Sequence, residues 1–444
     1  MMADVYLKKG EGRSLKAGGA WVYDNEIGKI DGSFENGEIV RVLDFDGFDM
    51  GKGFINTNSV ISVRMLSRRQ DAVIDEAFIS MRVKAAWEYR KTVMPEQDLN
   101  ACRIIFGEAD WLPGLVVDKY NDVLVTEALA LGLETDGIKD GLGLNLKQRV
   151  IKELLELLER DGFKIRLVYE RSDAPVRKKE GLPLHKGILW SREDGFKKPA
   201  ESVMNEKDLS ASVRNDLKGK TGSDEIAPVE IVENGVHYMI DVVNGQKTGF
   251  FLDQKYNRLA MQRICRGKRV LDCFTHMGTF ALNAGLAGAT EVTGLDISEF
   301  AVGQATANAK LNGLENTVKF KCANVLDELP KLYEAGEKYD VVILDPPAFT
   351  KSREATKNAI KGYREINMKG LKLVRDGGYL ASCSCSHFMT QELLFQTISQ
   401  AAKSVHKRLR QVEFRTQSCD HPILWSADES YYLKFYIFQI CEEK

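Results

Sequence analysis

The 444-residue chain contains no run of eighteen apolar residues, and its opening stretch, MMADVYLKKGEGRS, has no apolar core. The first absence predicts no membrane-spanning helix, and the second predicts no secretory signal. Eight cysteines, at 102, 265, 273, 322, 383, 385, 419 and 441, form no paired Cys-x-x-Cys spacing. No zinc or other metal site is therefore predicted. The Cys-Ser-Cys at 383–385 is too tight for an ordinary disulfide, so free thiols in a reducing cytoplasm are expected. Nor is there an excess of one charge: 62 Lys and Arg against 64 Asp and Glu leave a net −2. No global field draws nucleic acid to such a chain, so any basic surface must be local. What remains, 44% hydrophobic and 28% charged residues, is globular composition, in a length suited to two or three domains.

One stretch organises the chain. Arg269 to Asp296 reads as strand, tight loop from Asp272 to Gly278, helix from Thr279 to Leu286, and a second strand at Glu291 to Leu295 that Asp296 ends. A βαβ unit with an acid at the tip of its second strand is a nucleoside-cofactor cradle: loop N–H groups approach the ligand, and the carboxylate accepts from a ribose diol. A dinucleotide would want three spaced glycines for its pyrophosphate. This loop offers only Gly278, and it carries Asp272, which would repel a pyrophosphate and suit a cation. S-adenosylmethionine, with its sulfonium, ammonium and ribose, fits better than a nicotinamide cofactor; a plain α/β unit without ligand is the bland alternative.

Before this unit, residues 1 to about 70 hold short strand candidates at Val5–Leu7, Glu38–Leu43, Lys52–Ile55 and Ser62–Leu66. The run from Lys8 to Tyr23, with Lys9, Arg13 and Trp21, mixes bases, glycines and aromatics; it suits a phosphate-contacting surface with stacking partners, or equally a solvated turn. An amphipathic helix over 73–94, strands at 101–106, 114–119 and 122–128, a helix at 144–160 and a strand at 165–170 make an α+β module. Residues 191–225 are polar without apolar periodicity and are expected to be an insertion or linker. A hairpin turning at Asn234-Gly235 and a helix from Lys255 to about Arg266 lead into the organising unit.

Two further strand ends carry chemistry. Tyr339 to Leu344 is a buried strand that ends in Asp345-Pro346-Pro347-Ala348-Phe349. The prolines stiffen the exit and leave Asp345 at the carboxyl edge of the sheet, where ligands bind; capping the next helix is its alternative role. The strand Tyr379 to Ser382 then delivers Cys383 and Cys385 to the same rim. A buried structural cysteine is the commoner case. Beside a methyl donor and an aspartate, a thiolate adding to carbon 6 of a pyrimidine would make carbon 5 nucleophilic.

Gln246 to Arg258, Asp272-Cys273-Phe274 with Gly278, Asp345-Pro346-Pro347-Ala348-Phe349 and Ser382-Cys383-Ser384-Cys385-Ser386 resemble the RlmI-type 23S rRNA (cytosine-C5) methyltransferases. Ile105-Phe106-Gly107-Glu108, Leu112 to Asp118 and Arg171-Ser172-Asp173 are similar to their central domain. The resemblance covers the chain except for residues 191–225. It implies a PUA-like RNA-binding domain at 1–72, an α+β central domain at 73–190 and a Rossmann-like S-adenosylmethionine-dependent methyltransferase domain at 226–444. It implies a cytoplasmic enzyme acting on 23S rRNA or a large-subunit precursor, with a homodimer among the assemblies to consider. Asp272, Phe274 and Gly278 would line the cofactor, Asp296 its ribose and Asn324 its adenine. Gln254 and Arg258 would flank the cofactor or the flipped nucleotide, and Pro346 and Pro347 the target base. Asp345 would hold the base, and Cys385 matches the nucleophile position, with Cys383 two residues short of it. Methylation of another base position, such as a guanine amine, and a non-catalytic RNA-binding assembly factor remain the alternatives.

Overall fold

The computed structural model describes residues 2–138, 143–197, 226–349 and 355–441. The chain divides into two compact units. The first comprises Met1–Ile231, Ile240–Phe250 and Cys419–Ser430. Its N-terminal part is a six-stranded sheet in which Asp4–Leu7 alternates half-buried and buried residues while Ile61–Ser67 is buried almost throughout, and Val5, Leu7, Val22, Val40, Val42, Val63 and Met65 form one core. Two of these strands, Trp21–Tyr23 and Ile27–Asp31, are absent from the sequence reading, being short and flanked by polar residues. A second six-stranded sheet follows, packed with helices Glu76–Val93 and Leu146–Arg160. Asp75 caps the first, its side chain accepting from the Phe78 N–H at 2.9 Å.

The linker expected at 191–225 is partly corrected. Gly187–Ser191 is a strand, and Gly195–Phe196 pairs back on it through Trp190 and Ser191. Phe196 supplies the apolar anchor that the polar average conceals, packing against the core as does its cross-strand partner Trp190. Residues 198–225 lie outside the described residues.

The second unit comprises Val232–Met239, Phe251–Ser418 and Tyr431–Lys444. Its sheet has seven strands: β1 (Arg269–Cys273), β2 (Glu291–Asp296), β3 (Val318–Cys322), β4 (Tyr339–Leu344), β5 (Val374–Ser384), β6 (Arg408–Arg415) and β7 (Lys434–Cys441). The order is β3-β2-β1-β4-β5-β7-β6. The first five strands are parallel, and β7 runs antiparallel to β5 and β6. The central strand β4, YDVVIL, reads as a near-continuous apolar run because helices cover both faces, whereas the edge strand β3, VKFKC, is mostly exposed. Those helices are α1 (Lys255–Cys265), α2 (Thr279–Leu286), α3 (Glu299–Leu311), α4 (Val325–Glu334), α5 (Thr356–Leu373) and α6 (Gln391–Ser404). Strand β5 starts five residues before the sequence reading, since Val374 pairs with Tyr339 ahead of the turn at Gly377. The order reverses between β1 and β4, which opens a crevice at their carboxyl ends. Among the described residues no helix is long and apolar enough to cross a membrane.

Candidate active site

Four strand ends meet at this crevice. Asp272 is the penultimate residue of β1, Asp296 the last of β2, Asp345 follows β4, and Cys385 follows β5. Registers of Leu271 with Val342 and Val342 with Leu380 align β1, β4 and β5, so their ends fall on one rim.

Asp272 is fully buried. One carboxylate oxygen accepts from Thr275 Oγ1 at 2.5 Å and from the Ala281 N–H at 3.0 Å; the other has no hydrogen-bond partner. Burial pushes its carboxyl up to about 7, and Asp345 and Asp296 add to the rise. An unsatisfied buried carboxylate oxygen is costly unless something cationic completes it. A sulfonium or ammonium meets that need, and a pyrophosphate would worsen it.

The loop after β1 is strained. Phe274 and His276 have φ of 64° and 52°, unusual for residues with side chains. His276 Nδ1 is buried without a partner, and burial lowers the ring's basicity, keeping it neutral. The left-handed turn aims the His276 N–H at Asp296, whose Oδ2 accepts it at 2.9 Å, while Oδ1 accepts from the Ser298 N–H at 2.9 Å. Each oxygen keeps a second acceptor direction, enough for a diol. Gly278 has φ +84° at the start of α2, and a Cβ there would come within 2.6 Å of the Phe320 ring. Its glycine is thus required by packing and backbone, where sequence reading expected close approach to a ligand. Asn324 is exposed, and its side chain caps α4 by accepting from the Leu326 N–H at 3.1 Å. Ile297, next to Asp296, leaves an aliphatic side chain 71% exposed at the same edge. Neither it nor His276 figured in the sequence reading; an apolar residue directly after the strand-ending acid was the available signal.

On the other side of the crevice, Gln254 bridges acid and thiol. Its Nε2 donates to Asp345 Oδ2 at 3.1 Å and to Cys383 Sγ at 3.2 Å, and its Oε1 accepts from Asn257 at 2.7 Å. This differs from the expected cofactor contact: the amide is spent on holding Asp345 and Cys383. Burial raises the Asp345 carboxyl to about 6, against hydrogen bonds from Cys383 and Gln254 that favour its anion. Burial also pushes the Cys383 thiol well up, and the Asp345 charge adds to it. Cys383 lies inside β5, paired with Phe435, whereas Cys385 is past the strand end and half-buried. Pro346 is buried, Pro347 exposed, and Phe349 packs edge-on against Tyr363 with centroids 4.7 Å apart. Tyr363 in turn holds the Ser384 hydroxyl at 2.9 Å, stiffening the residue between the two cysteines.

Two residues expected to contact RNA are placed otherwise. Arg258 is 1% exposed, and its guanidinium grips Glu233 at 2.6 and 2.8 Å and the Phe251 carbonyl at 2.9 Å. It pins the hairpin to α1, the helix that Gln254 precedes. Trp21 is half-buried; its indole N–H donates to Glu108 at 2.8 Å, and the Arg64 guanidinium lies 5.5 Å over its ring. Lys8, Lys9 and Arg13 are exposed at the surface.

Comparison with known proteins agrees with this geometry. The S-adenosylmethionine-dependent methyltransferase family matches residues 207–423, and the PUA-like domain matches residues 5–68. Ribosomal RNA large subunit methyltransferase I of Pseudoalteromonas translucida is 33% identical over 441 residues, covering 99% of this chain and 100% of that protein. The protein of the same name from Aeromonas salmonicida is 34% identical over 435 residues, 98% of each. The solved structure of SMU.776 complexed with SAH superposes with a TM-score of 0.73 at 16% identity, over 99% of this chain and 100% of that one, which shows a shared fold.

Proposed function

This chain belongs to the ribosomal RNA large subunit methyltransferase I family of S-adenosylmethionine-dependent methyltransferases, and from that premise we propose that it methylates carbon 5 of a cytosine in large-subunit ribosomal RNA through a cysteine adduct. The observation that carries the reading is the half-exposed Cys385 at the rim shared with Asp345 and Asp272. S-adenosylmethionine supplies the electrophilic methyl. The chain's residues do the rest. Asp272 meets its cationic end with the unsatisfied carboxylate oxygen, and Asp296 accepts from its ribose. The target cytosine leaves its stack to enter the crevice. Asp345, steadied by Gln254, bonds the N3 and amino edge. Cys385 adds to carbon 6, which makes carbon 5 nucleophilic enough to take the methyl. A base then takes the carbon 5 proton, the C5–H electron pair restores the C5–C6 double bond, and Cys385 is expelled as its thiolate.

The PUA-like domain supports RNA as partner, with Lys8, Lys9 and Arg13 as exposed phosphate contacts. A homodimer gains no support from the comparisons and is not part of this reading. The deciding experiment maps 5-methylcytidine in large-subunit ribosomal RNA of a strain lacking the gene. Loss of one such residue, restored by the intact chain, is expected. An unchanged 5-methylcytidine map with a missing methylated guanine would put the amine-methylating alternative in its place.

Two binding results are expected. Asp296→Ala should weaken S-adenosylmethionine binding by about 1.5–3 kcal/mol, the range for hydrogen bonds to a charged group. Calorimetry on the folded variant checks this, and unchanged affinity would remove Asp296 from the ribose site. Binding should also be linked to protons. Asp272 and Asp345 stand at about 7 and about 6, well above the ordinary carboxylate value, so near pH 6 in the free protein Asp272 is mostly protonated and Asp345 about half so. Their contribution to stability is full below about pH 4 and is lost as pH rises through 6–7. A cation beside Asp272 lowers its pKa, so binding at pH 6 should release a proton and affinity should rise between about pH 5 and 7, where the ligand's α-amino group stays charged. Calorimetry in two buffers of different ionisation enthalpy reads this directly; proton uptake would contradict it.

A further inference from the structure

Lys434 opens β7 and is 1% exposed. In the antiparallel pairing of β7 with β5 it stands opposite Ser384, the residue between the two cysteines. Its ammonium donates to the Ser386 carbonyl at 2.9 Å and to the Tyr432 carbonyl at 3.3 Å, and it lies 4.9 Å from the centre of the Tyr431 ring. Among the described residues no carboxylate comes within ion-pair distance of it. Lys147, also buried, shows the usual arrangement, with Glu134 and Glu170 each at 2.8 Å. An ammonium buried without a counter-charge is expensive, because carbonyl dipoles and one aromatic face replace only part of its hydration.

Among the described residues, the groups able to carry negative charge that act on it are Cys383 in β5, Cys385 just past the end of β5, and Glu392 in α6. Tyr431, whose ring it overlies, is itself shifted up by burial and stays neutral near pH 7. Cys383 is a poor partner, since burial and Asp345 both oppose its ionisation. Cys385 is the half-exposed one, and the carbonyl that Lys434 grips belongs to the next residue.

We propose that Lys434 is the counter-charge that keeps Cys385 a thiolate. It is a positioning residue, acting on the sulfur and not on the base. The inference rests on the reading of Cys385 as nucleophile. The proton balance is closed: the Cys385 S–H bond breaks, its proton passes to the neutral Lys434 amine, and the electron pair left on sulfur forms the bond to carbon 6. When the adduct is eliminated, that pair returns to sulfur, which again faces the ammonium. Burial brings the Lys434 amine down to about 8, close to the ordinary thiol value of about 8.5, so the exchange is nearly balanced and the mutual attraction of the products tips it.

The test needs no RNA. Alkylation of Cys385 by iodoacetamide is followed against pH by peptide mass spectrometry on the full chain. For the wild type the midpoint should fall at least one unit below about 8.5, the ordinary thiol value. Lys434→Met should move it up by one unit or more, slowing alkylation at pH 7 about tenfold, while Lys434→Arg keeps most of the reactivity. A wild-type midpoint at or above the ordinary thiol value overturns the proposal whether or not the variants fold. So does an unchanged profile in folded Lys434→Met. A depressed midpoint that depends on Lys434, in a protein forming no RNA adduct, would leave the ion pair standing and defeat only the nucleophile reading.

Discussion

Cys385→Ala is expected to lose methyl transfer by at least about 10⁴-fold, about 5.5 kcal/mol of barrier, while binding S-adenosylmethionine normally. Without addition at carbon 6, carbon 5 of cytosine is too weak a nucleophile to take the methyl, so no lesser route replaces the lost one. The companion experiment uses RNA with 5-fluorocytidine at the target, where fluorine blocks the proton loss that frees the enzyme. Wild type should form an adduct that survives denaturation, and Cys385→Ala should not. Cys383→Ala should still form it, more slowly, because Cys383 holds Gln254 and shares a hydrogen bond with Asp345. An adduct present in Cys385→Ala and absent in Cys383→Ala would exchange their roles. If neither thiol is needed, the carbon 5 chemistry is wrong. The two thiols are two residues apart and face the same way, so strand alternation cannot separate them. Their surroundings do: one lies within the sheet against an acid, the other beyond its rim.

The largest loss of stability is expected from Glu233→Ala, about 3–5 kcal/mol. Glu233 and Arg258 are almost wholly buried and paired through both oxygens. Removing the acid strands a guanidinium that cannot shed its charge. Replacing both residues, as Glu233→Met with Arg258→Met, should recover most of the loss, because the desolvation of both ions disappears together. Urea unfolding is the measurement: the midpoint should drop with the slope unchanged. A loss below about 1 kcal/mol would mean that water reaches the pair. The single variant should also weaken S-adenosylmethionine binding, since Arg258 fixes the hairpin against the helix that Gln254 precedes.

Several parts of this protein follow from short-range physics that is legible in one dimension. The loop Asp272 to Gly278, Asp296 and Asp345-Pro346-Pro347 each sit within a few residues of a strand whose apolar run is visible in one dimension, so each could be assigned to a strand end. The hairpin at Asn234-Gly235 and the capped helices follow from the same short-range rules. Tertiary structure alone decided the rest. Arg258 reads as an RNA contact until Glu233, 25 residues away, is found against it. Trp21 reads as a stacking surface until Glu108 and Arg64 are found on it. The segment Cys419–Ser430, which follows β6 in the chain, belongs to the other compact unit, where Asp420 accepts from the Arg103 N–H at 2.9 Å. Lys434 lies fifty residues beyond Ser384 and gains its place opposite it, with its ammonium on the Ser386 carbonyl, only because β7 enters the sheet antiparallel and in one register. A pairing register is chosen by the burial of whole faces, since a slip of one residue would invert every side chain. That choice is a sum over residues far apart in sequence, so the partner of a buried charge is set by the packed sheet and by nothing nearer to it.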